Sequence, residues 1–169
     1  MRLTQFSNFS IRILMYAAVR EDAPSGVPEI ARAYGISYEH LKKATAELCR
    51  GGYLETVRGR NGGVRLAKHP REICIGEVIR LTEGKTLLVE CFDPSTNTCP
   101  LLPACHFQRA LKEALVAFFA VLDRYTLADL VRSPDRLSPL LGLSTLRAAA
   151  GDPVEERTEG DGTPRYRSS

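Results

Sequence analysis

The stretch "VPEIARAYGISYEHLKKATAELCRGG", Val27 to Gly52, constrains the fold more than any other part of the chain. Pro28 stands where a first helical turn tolerates a missing N–H, and Gly35 supplies a stop after one short helix. Ser37 then offers an N-cap for a second helix, in which Leu41, Ala44 and Leu48 recur on one face before Gly51-Gly52 ends the run. A leading amphipathic helix precedes them, with Phe6, Phe9, Ile13, Leu14, Tyr16 and Ala17 near helical spacing and Thr4 or Ser7 as its cap. Two short helices joined by the tight turn "AYGIS" make a helix-turn-helix, whose second helix enters the DNA major groove. Helical hairpins also occur as plain core, so the residues that follow decide between the two.

Those residues are "YLETV", "RGRNGG" and "VRLAK", which read as strand, turn, strand. Three helices followed by a hairpin are the order of a winged helix. The expected fold is therefore mainly α with a small β-hairpin wing, a winged helix-turn-helix domain joined to a long dimerisation helix. Ser37, Tyr38, His40, Lys42 and Lys43 line the exposed side of the third helix, where they can donate to phosphates and base edges. Arg58, Arg60, Asn61 and Arg65 surround a narrow glycine-supported tip, a shape suited to the minor groove. A solvated basic hairpin would look the same in isolation. Charge is uneven in the same sense: residues 1–70 carry 11 Lys and Arg against 6 Asp and Glu, while residues 71–169 carry 12 against 14. One end of the molecule thus faces polyanions.

Beyond the wing, Ile75 to Leu81 predicts a short helix, followed by the apolar "TLLVE". After Cys105, Leu111, Leu115, Phe118, Phe119 and Leu122 form one stripe, and Ala110, Ala114, Val116, Ala117 and Val121 make the other side apolar too. A helix that is apolar on more than one face needs a second covering surface, and a second copy of the chain is the economical one. "YTLADLV" reads as one more short helix, and Ser133 to Leu143 packs back or trails. From Ala148 on, Gly, Pro and charge dominate, which predicts a disordered tail. The expected division is 1–70 for DNA binding, 71–90 as connector, 91–105 as cysteine loop, 106–143 for dimerisation and 144–169 as tail. The longest apolar run, Ala114 to Leu122, is about half a bilayer crossing, and Arg2 and Arg12 interrupt the apolar N-terminus. These features predict a cytoplasmic protein with no membrane span and no signal peptide.

Five cysteines are an odd number, and three of them, Cys91, Cys99 and Cys105, fall in "ECFDPSTNTCPLLPAC". A disulfide framework is the weaker reading for a chain held in a reducing compartment. Thiolates are soft ligands that favour iron-sulfur clusters, zinc or copper(I). The C-x7-C-x5-C spacing lets three sulfurs reach one centre, and Pro94, Pro100 and Pro103 restrict the unfolded loop. Structural zinc normally takes four protein ligands in closely spaced pairs, which are missing here. An iron-sulfur cluster with one non-cysteine ligand suits the spacing better, and incomplete ligation makes a cluster reactive. Three unconnected thiols remain the alternative. Cys49 and Cys74 read as small core residues. His106, directly after Cys105, is an awkward fourth ligand.

The opening "MRLTQFSNFSIRILMYAA", the wing "VRGRNGGVRL", the linker "IGEVIRLTE", the cysteine segment and the ending "AFFAVLDRYTLADLV" together resemble the winged-helix iron-sulfur repressors that include the NsrR, IscR and RirA regulators. The resemblance runs from Met1 to about Leu143. It implies a homodimer with crossed long helices, two winged helices on a partly palindromic double-stranded operator, and a cluster on Cys91, Cys99 and Cys105, with 4Fe-4S favoured over 2Fe-2S. It implies a repressor responsive to nitric oxide, iron supply or cluster status. The cysteine segment and "LDRYTLADLV" look most like the nitric oxide sensing NsrR type, with the iron-responsive RirA type next. NsrR-type members commonly place an Asp from the partner subunit where this chain has Asn8, a poor iron ligand, which leaves Asn8 and His106 as the candidates for the fourth ligand. The IscR-type ligating His falls at Gln108 here. A reading from another class, a small iron-sulfur redox protein, would need neither the basic wing nor the Tyr38 to Lys43 face. A zinc-stapled DNA binder is a third.

Overall fold

The computed structural model describes residues 3–84 and 88–143. The expected tail, from residue 144 on, lies outside them, as does part of "TLLVE". Helix α1 (Gln5–Val19) starts at Thr4, whose side chain accepts the Ser7 N–H. Helix α2 (Val27–Tyr34) has its proline in the first turn and closes at Gly35, which takes φ +62°, a conformation costly for any residue with a Cβ. Helix α3 (Tyr38–Arg50) follows. Ser37 occupies its N-cap position without the expected side-chain hydrogen bond, and only its carbonyl engages the helix, accepting from the Leu41 N–H at 3.2 Å.

Strands β1 (Leu54–Val57) and β2 (Gly63–Leu66) pair antiparallel, with Leu54 opposite Leu66 and Val57 opposite Gly63. Ser25, ahead of α2, adds a one-residue third strand. Its N–H donates to the Val64 carbonyl at 2.8 Å and its carbonyl accepts from Val64 at 3.0 Å. The wing is thereby tied to the turn that launches the helix-turn-helix. A Cβ at Gly63 would stand 2.5 Å from the Ser25 oxygen, so the approach requires glycine.

The core collects Ile13, Leu14 and Tyr16 of α1, Ile30 of α2, and Leu41, Ala44 and Leu48 of α3, all essentially buried. Apart from Ile30, these are the apolar positions whose helical spacing the sequence displays. Helix α4 (Ile75–Glu83) completes it with Ile75, Val78 and Ile79. A buried Thr82 hydroxyl donates to Ser7 Oγ of α1 at 2.7 Å, and Glu83 accepts from the Thr4 N–H at 2.8 Å and hydroxyl at 3.0 Å. Apolar packing and satisfied polar contacts therefore join α4 to the start of α1.

Single 3-10 turns at Glu90–Phe92 and Leu102–Ala104 carry the chain through the cysteine segment to α5 (His106–Leu122). None of the seventeen residues of α5 is fully buried. Phe119 and Leu122 rest against the core, while Phe107 is 66% and Val116 70% exposed. Helices α6 (Leu127–Leu130) and α7 (Pro134–Leu140) bring the chain back, with Leu127 buried and Leu141 and Leu143 packed against the core. No helix among the described residues is long and apolar enough to cross a membrane.

Candidate nucleic-acid interface and cysteine loop

Burying Leu41, Ala44 and Leu48 turns the opposite side of α3 outward, so Tyr38, His40, Lys42 and Lys43 are all exposed. His40 is not wholly free for a ligand: its ring stacks on Phe9 of α1, with centroids 6.0 Å apart. Among the described residues Lys42 and Lys43 form no ion pair, leaving their charge available to an external anion. Exposed Ser37 sits at the N-terminal end of this face.

At the wing tip, Arg58, Arg60 and Asn61 are exposed, and neither arginine is paired among the described residues. The tip closes through a Gly62 N–H to Gly59 carbonyl bond of 3.0 Å, and a Cβ at Gly62 would lie 2.4 Å from the Val57 oxygen. Arg65 departs from expectation. It stands opposite Glu55 in the ladder, and its Nε donates to Glu55 Oε1 at 2.5 Å, so its charge is met within the sheet. The sequence places Glu55 and Arg65 symmetrically about the turn, and counting hairpin register would have exposed the pairing.

Cys91, Cys99 and Cys105 are all free thiols and all half-buried. Cys105 is the N-cap of α5 and its sulfur accepts the Gln108 N–H at 3.3 Å, a position where the helix end favours negative charge. The Gln108 side chain donates to the Cys91 carbonyl, also at 3.3 Å, tying the first cysteine's backbone to the helix start. The backbone N–H of Cys99 donates to Asn97 Oδ1 at 3.1 Å, and Asp93 accepts from the Ser95 N–H at 3.0 Å and hydroxyl at 2.6 Å. The loop thus carries its own turn chemistry. No three or more His, Cys, Asp or Glu side chains among the described residues are arranged to hold a metal ion. Chemically the donor set still suits a thiophilic iron group: three unpaired thiols on one segment, one already accepting an N–H.

Asn8 is exposed on the second turn of α1, and His106 is exposed as the first residue of α5. No described hydrogen bond links either side chain to the cysteines. Cys49 packs half-buried against the core, and burial pushes its thiol up from the ordinary value. Cys74 is no core residue. It is half-buried before α4 with its sulfur 3.7 Å from both the backbone and side-chain oxygens of Asp123. No local pattern in the sequence points to that long-range contact.

The sequence model of one family, described as "Rrf2: Iron-dependent Transcriptional regulator", matches residues 3–133. The chain belongs to this family. Members of the Rrf2 family that it resembles include the "HTH-type transcriptional regulator NsrR" of Halalkalibacterium halodurans, 49% identical over 85% of this chain and 99% of that protein. The protein of the same name from Bacillus subtilis is 46% identical over 83% of this chain and 97% of its own length. Among solved Rrf2-like folds, T. potens IscR superposes with a TM-score of 0.65 at 23% identity, over 81% of this chain and 90% of its own. A putative transcriptional regulator from Listeria innocua gives 0.65 at 25% identity, over 98% and 97%. Like its Rrf2 relatives, the chain is a DNA-binding transcriptional regulator and not an enzyme.

Proposed function

We propose that the chain is a dimeric, cytoplasmic repressor that holds an iron-sulfur cluster on Cys91, Cys99 and Cys105 and releases its operator when nitric oxide attacks that cluster. The observation that carries the reading is the placement of three free, half-buried thiols at the head of a long helix that the single chain leaves largely uncovered, behind a basic winged helix. The names of the NsrR relatives support the signal, and the family's description supports iron. A 4Fe-4S cluster suits three cysteines with a fourth ligand from elsewhere better than 2Fe-2S.

When bound, the cluster supplies iron open to small reactive ligands. The rest of the response belongs to the chain. Gln108 joins Cys91 and Cys105 to the first turn of α5, so a shift of the thiols on cluster loss is passed to the helix start. In a dimer built on the apolar sides of α5, that changes the spacing of two reading heads, each with Tyr38, His40, Lys42, Lys43 and the Arg58, Arg60 and Asn61 tip. One head alone binds weakly, so most of the affinity lies in the two-site geometry.

The test is anaerobic reconstitution, titration with nitric oxide, and absorption and DNA binding measured on the same samples. DNA release in step with bleaching of the cluster is expected. Release by iron chelation but not by nitric oxide would move the chain to the iron-responsive branch. A coloured protein that ignores DNA at low salt would favour the redox reading, and stoichiometric zinc without visible absorption would sink the cluster altogether.

A further inference from the structure

We infer that Arg80 of α4 and Asp123, the residue that ends α5, are positioning residues that form the joint through which the long helix sets the DNA-reading head. The inference rests on the cluster-controlled regulator proposed above, and adds the point at which the state of the cysteine loop passes into the winged helix.

Four observations converge on this spot. The Arg80 guanidinium grips Asp123 with two bonds, Nη1 to Oδ1 at 2.7 Å and Nη2 to Oδ2 at 2.6 Å, a fork geometry that fixes orientation as well as distance. The same guanidinium lies 4.5 Å from the centroid of the Phe119 ring, one turn back on α5, so Arg80 holds both the end and the flank of that helix. Gly76, one turn before Arg80 on α4, has no side chain where a Cβ would stand 1.9 Å from Asp123 Oδ1. Finally, the segments beside the joint are stitched by backbone: Ile75 N–H donates to the Tyr125 carbonyl and Leu127 N–H to the Ile73 carbonyl, both at 2.9 Å. Arg80 in turn holds the Asp123 carboxyl below the usual range.

What lies on either side gives the joint its role. Upstream, α5 begins at Cys105 and is tied to Cys91 through Gln108. Downstream, α4 is fastened to the first turn of α1 by Thr82 on Ser7 and Glu83 on Thr4, and α1 packs along α3, the reading helix. A shift of α5 therefore reaches α3 through two hydrogen-bonded contacts and one packed helix pair. The two side chains are 44% and 40% exposed, but the fork, the ring beside it and the glycine facing it make the contact specific in direction as well as distance, which a single-bonded surface pair is not.

The test compares wild type with Asp123→Asn, which keeps size and removes charge, and Arg80→Lys, which keeps charge and loses the fork. Iron content, DNA affinity of the cluster-loaded protein and DNA affinity of the cluster-free protein are measured for each, with circular dichroism for folding. Asp123→Asn is expected to load a full cluster yet to lower the loaded-to-free affinity ratio by about 2- to 30-fold, with Arg80→Lys intermediate. An unchanged ratio, or equal loss in the loaded and free forms, overturns the joint, since a merely structural role moves both forms alike. If Asp123→Asn does not fold, Arg80→Gln reads the same ratio. A wild-type ratio of one overturns the proposed function, and the joint falls with it. A wild-type ratio far from one that survives in Asp123→Asn overturns the joint alone.

Discussion

Removing both wing-tip arginines, Arg58→Ala with Arg60→Ala, tests whether the hairpin touches DNA. Both side chains are exposed and unpaired among the described residues, so the fold should shift by no more than about 0.5 kcal/mol. In the proposed dimer the two substitutions delete four cationic groups. If each neutralises one phosphate, the slope of log affinity against log salt becomes shallower by about 3.6. The affinity loss should then be about 150-fold larger at 50 mM than at 200 mM salt. Because the counterion term is independent of sequence, fluorescence anisotropy with any duplex of sufficient length reads it. The internal control is Arg65→Ala with Glu55→Ala, which removes a pair already neutralised within the sheet and leaves net charge unchanged. A slope change no larger for the tip pair than for this control refutes the placement of the wing on DNA.

Gly63→Ala drives a Cβ to 2.5 Å from the Ser25 carbonyl and should cost the two Ser25–Val64 bonds, roughly 2 kcal/mol, seen as a lower denaturant midpoint; an unchanged midpoint would show that the wing does not lean on Ser25. The Thr126 N–H, then Arg132 and the Thr126 hydroxyl, hold Asp129 at about 2, below its ordinary 3.8. A depressed carboxylate stabilises the fold above the ordinary value and loses that contribution as pH falls towards 2, so Asp129→Asn in the cluster-free protein should flatten the fall in stability between about pH 4 and 2. Asn8→Asp places a carboxylate where a partner could supply a ligand, and should slow cluster loss to a chelator; equal rates in both proteins would mean that position 8 does not close the cluster.

The head of the molecule was legible because its determinants are local. Pro28 and Gly35 bracket α2, Leu41, Ala44 and Leu48 share one face of α3, and the glycines of "RGRNGG" fix the turn, so a short window contains each cause with its effect. Ser37 shows the limit even there. The residue type allowed a cap, but the hydroxyl makes no cap bond, and no propensity distinguishes position from contact. Arg65 failed for a related reason: its type announces a phosphate ligand, and only the strand register reveals that Glu55 has taken it. Cys74 was less accessible still, since its neighbour Asp123 is 49 residues away and no spacing rule spans that distance.

The cysteine segment differs in kind, because its local order and its ligand set are separate problems. Asp93 and Asn97 organise turns within the loop, and Gln108 fastens its first and last cysteines to α5, so the backbone route is specified by the segment itself. Convergence of three thiolates is not specified in the same way. Bringing three negative sulfurs together without a cation costs repulsion and desolvation, which metal binding offsets. Among the described residues the segment forms turns and carries its three thiols half-buried. In the proposed regulator the cluster would draw the thiols together, so its loss would reach α5 and, through it, α3.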